Sequence, residues 1–263
     1  QLIEGILIAC HAVTAQKAVI GIKQKFTEQV ERLKEALGEM EKAHIVPEGL
    51  IEIFEGPDEY LFGEEKALLE AIDGGGALPR IMPPYMVGVR AKPHSPNPAA
   101  VNNVESLSNL PHIFRNGPDW FKRIGTAKTG GTMIFTLSGD IKNPGMYELP
   151  MGTPLRELLY RCGGGPAGKY PIKAVFSGAA NAVITPDQFD TPMDFDAMRS
   201  IGSGLGSGGF IVYDASACMV QAALIFARFL ANGSCGQCVP CGLGTQTLAD
   251  LLARLESGQG HAS

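Results

Sequence analysis

The chain has 263 residues, 45% hydrophobic and 19% charged, a balance that excludes a disordered polypeptide and supports two or three compact units. Twenty-two Lys and Arg against 27 Asp and Glu leave a formal charge of −5, so bulk electrostatics offers nothing to nucleic acid or an anionic membrane surface. No uncharged apolar run reaches the roughly 18 residues a membrane span requires, and no basic segment precedes the apolar start as a secretory signal would need.

The chain opens at Gln1 with LIEGILIACHAV, which reads over 2–13 as a helix already under way, so it is expected to be a fragment of a longer protein. The β-branched run at 18–24 predicts a strand. An amphipathic helix follows, capped by Thr27, with Val30, Leu33, Leu37 and Met40 on one face at spacings of three and four. A strand at 50–54 and a helix over 64–72, ending at the triplet Gly74 to Gly76, complete an α/β layer. Six prolines between 79 and 98 then predict a long, stiff, irregular excursion of the kind used as a binding loop or linker. Asn103 supplies the cap oxygen of another helix, and this first unit closes near Thr129.

A second unit begins with a strand from Thr132, an Asn143-Pro144-Gly145 turn and a strand at 146–149, which together form a hairpin. Pro154 opens a helix that ends at Gly163 to Gly165, and 174–185 returns to strand. The third unit holds a glycine-rich stretch from Gly202, the strand FIVYD, a helix over 216–231, the cysteine loop and a last helix from Gly244.

Cys235, Cys238 and Cys241 stand as C-x-x-C-x-x-C, three thiols that can wrap one corner of a [4Fe–4S] cluster whose fourth ligand comes from elsewhere. Zinc is the alternative, but structural zinc ordinarily uses a second Cys pair that the chain does not contain. Cys218 has the apolar neighbours of a buried mid-helix residue. The clustering favours metal over disulfides and a reducing compartment. Gly204 to Gly209 spells G-x-G-x-x-G but precedes a strand, whereas a dinucleotide fingerprint follows a strand and opens a helix; a tight loop is expected. Glu64 and Glu65 at a helix start fit ordinary helix-end electrostatics, and His94 and His112 have no ligand-spaced partners.

The motifs GPDEYLFGEEKALLEAIDG, LPRIMPPY, VNNVESL, SGDIKNPGMYELPMGTPLRELL, GSGLGSGGFIVYDASACMV and SCGQCVPC occur in one order. That order resembles the flavin- and NADH-binding subunits of complex-I-type NADH dehydrogenases, along with the diaphorase subunits of NAD-linked hydrogenases, formate dehydrogenases and electron-bifurcating complexes. The resemblance implies a partial Rossmann-like α/β flavin domain over 1–129, an α+β β-grasp (soluble-ligand-binding) domain over 130–215, and part of a helical bundle over 216–263 that holds the iron–sulfur loop. It implies FMN as the flavin, with FAD as the alternative, NAD(H) as substrate, and hydride exchange between the two with single electrons leaving through a [4Fe–4S] cluster. It implies that Gly63, Glu64 and Glu65 line the flavin and nicotinamide pocket, with Glu65 acting through its field. Tyr60 and Tyr85 would contact the dinucleotide, Asn102 and Asn103 the flavin, and Cys235, Cys238 and Cys241 would be three of the four cluster ligands. A thioredoxin-like [2Fe–2S] subunit and further iron–sulfur or catalytic subunits are the implied partners, in a cytoplasmic or membrane-peripheral complex with no span of its own.

Departures accompany the resemblance. The family's glycine-rich phosphate loop and fourth cysteine are expected outside this chain. Met82 stands where relatives carry a lysine that helps hold the dinucleotide, Phe62 replaces a cysteine and Lys66 a threonine. A non-catalytic scaffold or electron-relay subunit that has lost NADH binding is therefore the alternative expectation.

Overall fold

A computed structural model of the chain describes residues 1–260. It divides into two units, Gln1–Arg115 and a second from Asn116 onward, and both mix helices with sheet.

The first unit runs α1 (Leu2–Val13), β1 (Ala18–Lys23), α2 (Thr27–Lys42), β2 (Ile51–Gly56), α3 (Glu65–Ile72) and α4 (Val104–Asn116). Left-handed Thr14 (φ 54°) stops α1. The two strands pair in parallel, Ala18 opposite Ile51 through to Lys23 opposite Gly56. A parallel pair needs a crossover, and α2 supplies it, laying Leu33, Leu37 and Met40 on a core of Ile3, Ile6, Ile20, Val46 and Ile51. Thr27 is not the cap of α2: Phe26 holds that position without a side-chain bond and Thr27 is already helical. Gly5 lets α1 meet α4, since a Cβ there would lie 2.0 Å from the Leu107 carbonyl oxygen.

The second unit contains α5 (Pro118–Lys122), β3 (Thr132–Gly139), β4 (Gly145–Pro150), β5 (Ile172–Phe176), α6 (Phe195–Ser200), β6 (Gly209–Asp214), α7 (Met219–Asn232) and α8 (Val239–Glu256). Its sheet has the order β4-β3-β6-β5. The expected hairpin is the antiparallel β3–β4 pair; β6 pairs in parallel with β3 and antiparallel with β5. Phe135, Leu137, Leu155, Leu159, Phe210 and Val212 form its buried centre.

Several local expectations change. The helix expected after Pro154 is wound as a π segment at Glu157–Cys162. The strand expected over 174–185 ends at Phe176, where buried Ser177 donates to the Gly204 carbonyl and Asn181 donates to the Ser177 carbonyl at 2.8 Å. These bonds turn the chain out of the sheet. Helix α6 was not foreseen; Asp194 caps it by accepting from the Ala197 amide at 2.7 Å. Cys218 is not a buried mid-helix residue but the exposed cap position of α7, with its sulfur 3.9 Å from a Glu256 oxygen near the end of α8. Helix α8 begins at Val239 rather than Gly244. Phe226 joins α7 to the sheet, edge-on to Phe176 at 4.8 Å and to Tyr213 at 6.3 Å, and burial in this cluster pushes the Tyr213 phenol up. Among the described residues no helix is long and apolar enough to cross a membrane.

Candidate functional site

Two groups of residues carry the candidate chemistry, one in each unit. In the first, β2 ends at Gly56 and the chain makes a 3-10 turn, Tyr60–Gly63, before α3. Phe62 anchors that turn. Its ring is buried, lies tilted to Phe54 at 6.2 Å, and sits so close over Gly56 that a Cβ there would be 2.2 Å from it. With Phe62 held inward, the neighbouring Gly63 is exposed and has nothing within 4 Å of where a side chain would begin. That open glycine is a place where a planar ligand can approach backbone closely.

The two glutamates after it differ. Glu64 is the cap of α3, one carboxylate oxygen accepting from the amides of Lys66 and Ala67, both at 2.9 Å. The Lys66 ammonium is 3.9 Å from the other oxygen. The Glu64 carboxylate is therefore occupied by its own helix. Glu65, in the first turn, is exposed, and its carboxylate is bonded to none of the described residues. Tyr60 and Tyr85 are both largely exposed. Asn103 does what the sequence predicts, its side-chain oxygen accepting from the Glu105 amide at 2.7 Å at the head of α4, whereas the exposed Asn102 side chain bonds to none of the described residues. These residues lie on three separate segments of the first unit: the turn into α3, the proline-rich excursion, and the start of α4.

The excursion is pinned in place by ion pairs that sequence reading missed. Arg80, with its side chain only 15% exposed, places Nη2 2.7 Å from Asp73, donates Nη1 to the Gly88 carbonyl at 2.8 Å, and sets Nε 2.8 Å from Glu70, close enough to pair but outside hydrogen-bond geometry. Asp73 also accepts the Arg90 amide at 2.6 Å, and the Arg90 side chain reaches β2 at Glu52. The consequence concerns charge. The stretch Ile81 to Tyr85 carries no cation of its own, and the adjacent guanidinium of Arg80 is already paired with Asp73 and Glu70 and bonded to the Gly88 carbonyl.

In the second unit, the three cysteines of the motif run from the α7–α8 connection into the start of α8. Cys235 is in the connecting loop, Cys238 is the cap of α8 and Cys241 is in its first turn. All six cysteines are free thiols. Gly236 takes φ +74°, the left-handed turn that reverses the chain after Cys235. The amino end of an 18-residue helix favours negative charge, hence thiolates. Among the described residues no three His, Cys, Asp or Glu side chains converge as a finished metal site. The donor set fits a thiolate-held cluster: three soft sulfur donors on a short glycine-containing loop, with a fourth position open. The flavin-side residues fit a flavin in the same limited sense, offering an open glycine, a free carboxylate, a free amide and exposed aromatic faces.

Three family models match segments of the chain: the Nuo51 FMN-binding domain over residues 1–112, the SLBB domain over 134–178, and the NADH-ubiquinone oxidoreductase-F iron-sulfur binding region over 221–263. The chain is 36% identical to the F 2 subunit of the NADH-quinone oxidoreductase of Rhizobium meliloti, over 99% of its own length and 63% of that protein. It is 34% identical to HndC, a subunit of the NADP-reducing hydrogenase of Solidesulfovibrio fructosivorans, over 98% of its length and 54% of the relative. A solved NAD⁺-reducing [NiFe]-hydrogenase in the air-oxidized state superposes with a TM-score of 0.82 at 31% identity, over 98% of this chain and 43% of that one. The chain thus spans less than two thirds of the length of the relatives it matches. The resemblance read from the order of its motifs is borne out along nearly its whole length.

Proposed function

We propose, from that homology, that this chain is part of an electron-transfer oxidoreductase subunit of the NADH dehydrogenase (diaphorase) type, working between NAD(H), a flavin of the FMN kind and a [4Fe–4S] cluster. The observation that carries the reading is that one chain matches an FMN-binding domain at its start and an iron–sulfur binding region at its end. When bound, the flavin would supply exchange between a hydride pair and single electrons, and the cluster would supply a one-electron acceptor.

The residues present have distinct tasks in this reading. Exposed Gly63 lets backbone approach the isoalloxazine ring. Glu64 holds the first turn of α3 in place through its two amide bonds and so sets where Glu65 stands. Glu65, free of partners, acts through its negative field and as a hydrogen-bond acceptor, without transferring a proton. Asn102 offers its amide to the flavin, while Asn103 holds α4. Tyr60 and Tyr85 offer ring faces to the dinucleotide. Cys235, Cys238 and Cys241 are three cluster ligands. The finer architecture belongs to the same proposal: a Rossmann-like flavin part over 1–129, a β-grasp part over 130–215 and an iron–sulfur helical part over 216–263. So do a thioredoxin-like [2Fe–2S] partner and a cytoplasmic or membrane-peripheral complex. Electron flow in either direction is compatible with this arrangement.

One observation favours a second reading, a scaffold or relay component without NADH binding: with Met82 in place and Arg80 paired with Glu70 and Asp73 and bonded to Gly88, the stretch Ile81 to Tyr85 offers no cation of its own to a pyrophosphate. Anaerobic absorption and EPR spectroscopy of the protein within its complex, with and without NADH, separates the readings. Bleaching of the flavin band with appearance of a reduced-cluster signal is expected. A flavin that NADH leaves oxidised would favour the scaffold reading or a different electron donor, and a colourless preparation would point to zinc.

A further inference from the structure

We infer that Ser234 is a positioning residue for the cysteine loop: its hydroxyl donates to the sulfur of Cys241 and thereby sets the reduction potential of the group that loop holds. The inference rests on the proposed cluster-binding role of Cys235, Cys238 and Cys241.

Ser234 immediately precedes the first cysteine of the motif, at the end of α7, where its amide donates to the Ala231 carbonyl at 3.3 Å. Its Oγ lies 3.4 Å from Cys241 Sγ, within reach of a hydrogen bond to sulfur. The same oxygen accepts from the Gly236 amide at 3.3 Å. The ligated state of the cysteine settles the direction of the first bond. With the Oγ acting as acceptor toward Gly236, its own proton is available for the sulfur, and a cysteine ligated as thiolate has no proton to give, so the bond runs from Ser234 to Cys241. The hydroxyl thus ties three points together: the end of α7, the left-handed turn at Gly236 just after the first ligand, and the first turn of α8 that carries the last one.

Two effects follow. Geometrically, the bridge holds the first and third cysteines of the loop in a fixed relation before any metal arrives. Electrostatically, a donor on a ligating thiolate withdraws negative charge from it and stabilises the more negative, reduced form, which raises the potential. Removing the hydroxyl therefore favours the oxidised form.

The test is an EPR-monitored redox titration of the assembled complex carrying Ser234→Ala, with Ser234→Thr as the conservative variant and iron and acid-labile sulfide determined on each. At the wild-type midpoint, S234A is expected to raise the oxidised-to-reduced ratio about three- to tenfold, equivalent to about 30 to 60 mV downward for a one-electron couple, while S234T stays near the wild type. If S234A loses the cluster while S234T retains it, the positioning role is supported by occupancy instead of potential. Equal potentials in all three proteins, or loss of the cluster in S234T as well as S234A, overturn the inference. A wild-type complex in which this loop holds no iron or sulfide overturns the cluster reading itself, a failure distinguishable from the others because it appears before any substitution is made.

Discussion

Arg90 lays its guanidinium on the carboxylate of Glu52 as a two-pronged fork, Nη1 2.8 Å from one oxygen and Nη2 2.5 Å from the other. The pair ties the proline-rich excursion to strand β2, and Arg90 adopts a left-handed backbone (φ 53°) to make it. The hydrogen bond from Arg90 is the main cause that holds the Glu52 carboxyl below its usual range, and burial opposes it. A depressed carboxylate contributes stability that is complete above its unfolded value, about 4.3, and is lost as pH falls through the lower folded value. Limited proteolysis across 77–98 is therefore expected to be constant from neutral pH down to about 5 and to accelerate below about 4. In Glu52→Gln that acid-dependent step should disappear. With both side chains over two-fifths exposed, the contribution is at most about 1 kcal/mol, and a step of the same size in the variant would rule out this pair as its source.

Asp73 is the hinge of the same network, serving Arg80 with one oxygen and the Arg90 amide with the other. Asp73→Ala is expected to cost about 1–2 kcal/mol, as befits hydrogen bonds to a charged group, and to raise the proteolysis rate in the excursion more than elsewhere. Unchanged thermal stability together with unchanged cleavage would show that the network does not restrain the loop.

Gly56→Ala tests the anchor under the candidate flavin turn. A methyl at 2.2 Å from the Phe62 ring cannot be accommodated without moving it, and overpacking of this kind costs about 1–3 kcal/mol. Flavin content should fall with stability, and both should recover partly when Phe62→Leu is added. A stable, fully flavinated G56A protein would show that the turn does not depend on this contact.

Cys238→Ser should abolish the broad visible absorption and the acid-labile sulfide of the second unit while the far-ultraviolet dichroism of its sheet survives, because Cys238 lies at the head of α8 and outside the buried centre at Phe135 and Phe210. Full retention of sulfide would remove Cys238 from the ligand set.

Met82→Lys places a cation in the stretch Ile81 to Tyr85, which has none. If the exposed segment around Met82 and Tyr85 faces the dinucleotide, the KM for NADH should fall about threefold to fivefold, the worth of one partly exposed charge pair, and the gain should shrink at high salt. A KM indifferent to the substitution at low salt would place Met82 away from the phosphates.

Much of the secondary structure is legible locally. The spacing of Val30, Leu33, Leu37 and Met40 foretells α2, the Asn143-Pro144-Gly145 turn foretells the β3–β4 hairpin, and Asn103 foretells the cap of α4. Each of these follows from a period or a cap chemistry that acts within a few residues. The order of motifs also identifies the relatives, since that order is a property of the sequence alone.

Other features were decided only when the chain folded. The strand at 172 stops at Phe176 because Gly204, 27 residues beyond Ser177, supplies the carbonyl that Ser177 reaches. Arg90 finds Glu52 across 38 residues, and Ser234 finds Cys241 only because α7 and α8 fold back on each other. Periodicity and capping report what a segment does by itself. Which charged and polar groups remain available for a ligand depends on partners brought in from far along the chain, and that competition is settled by tertiary structure.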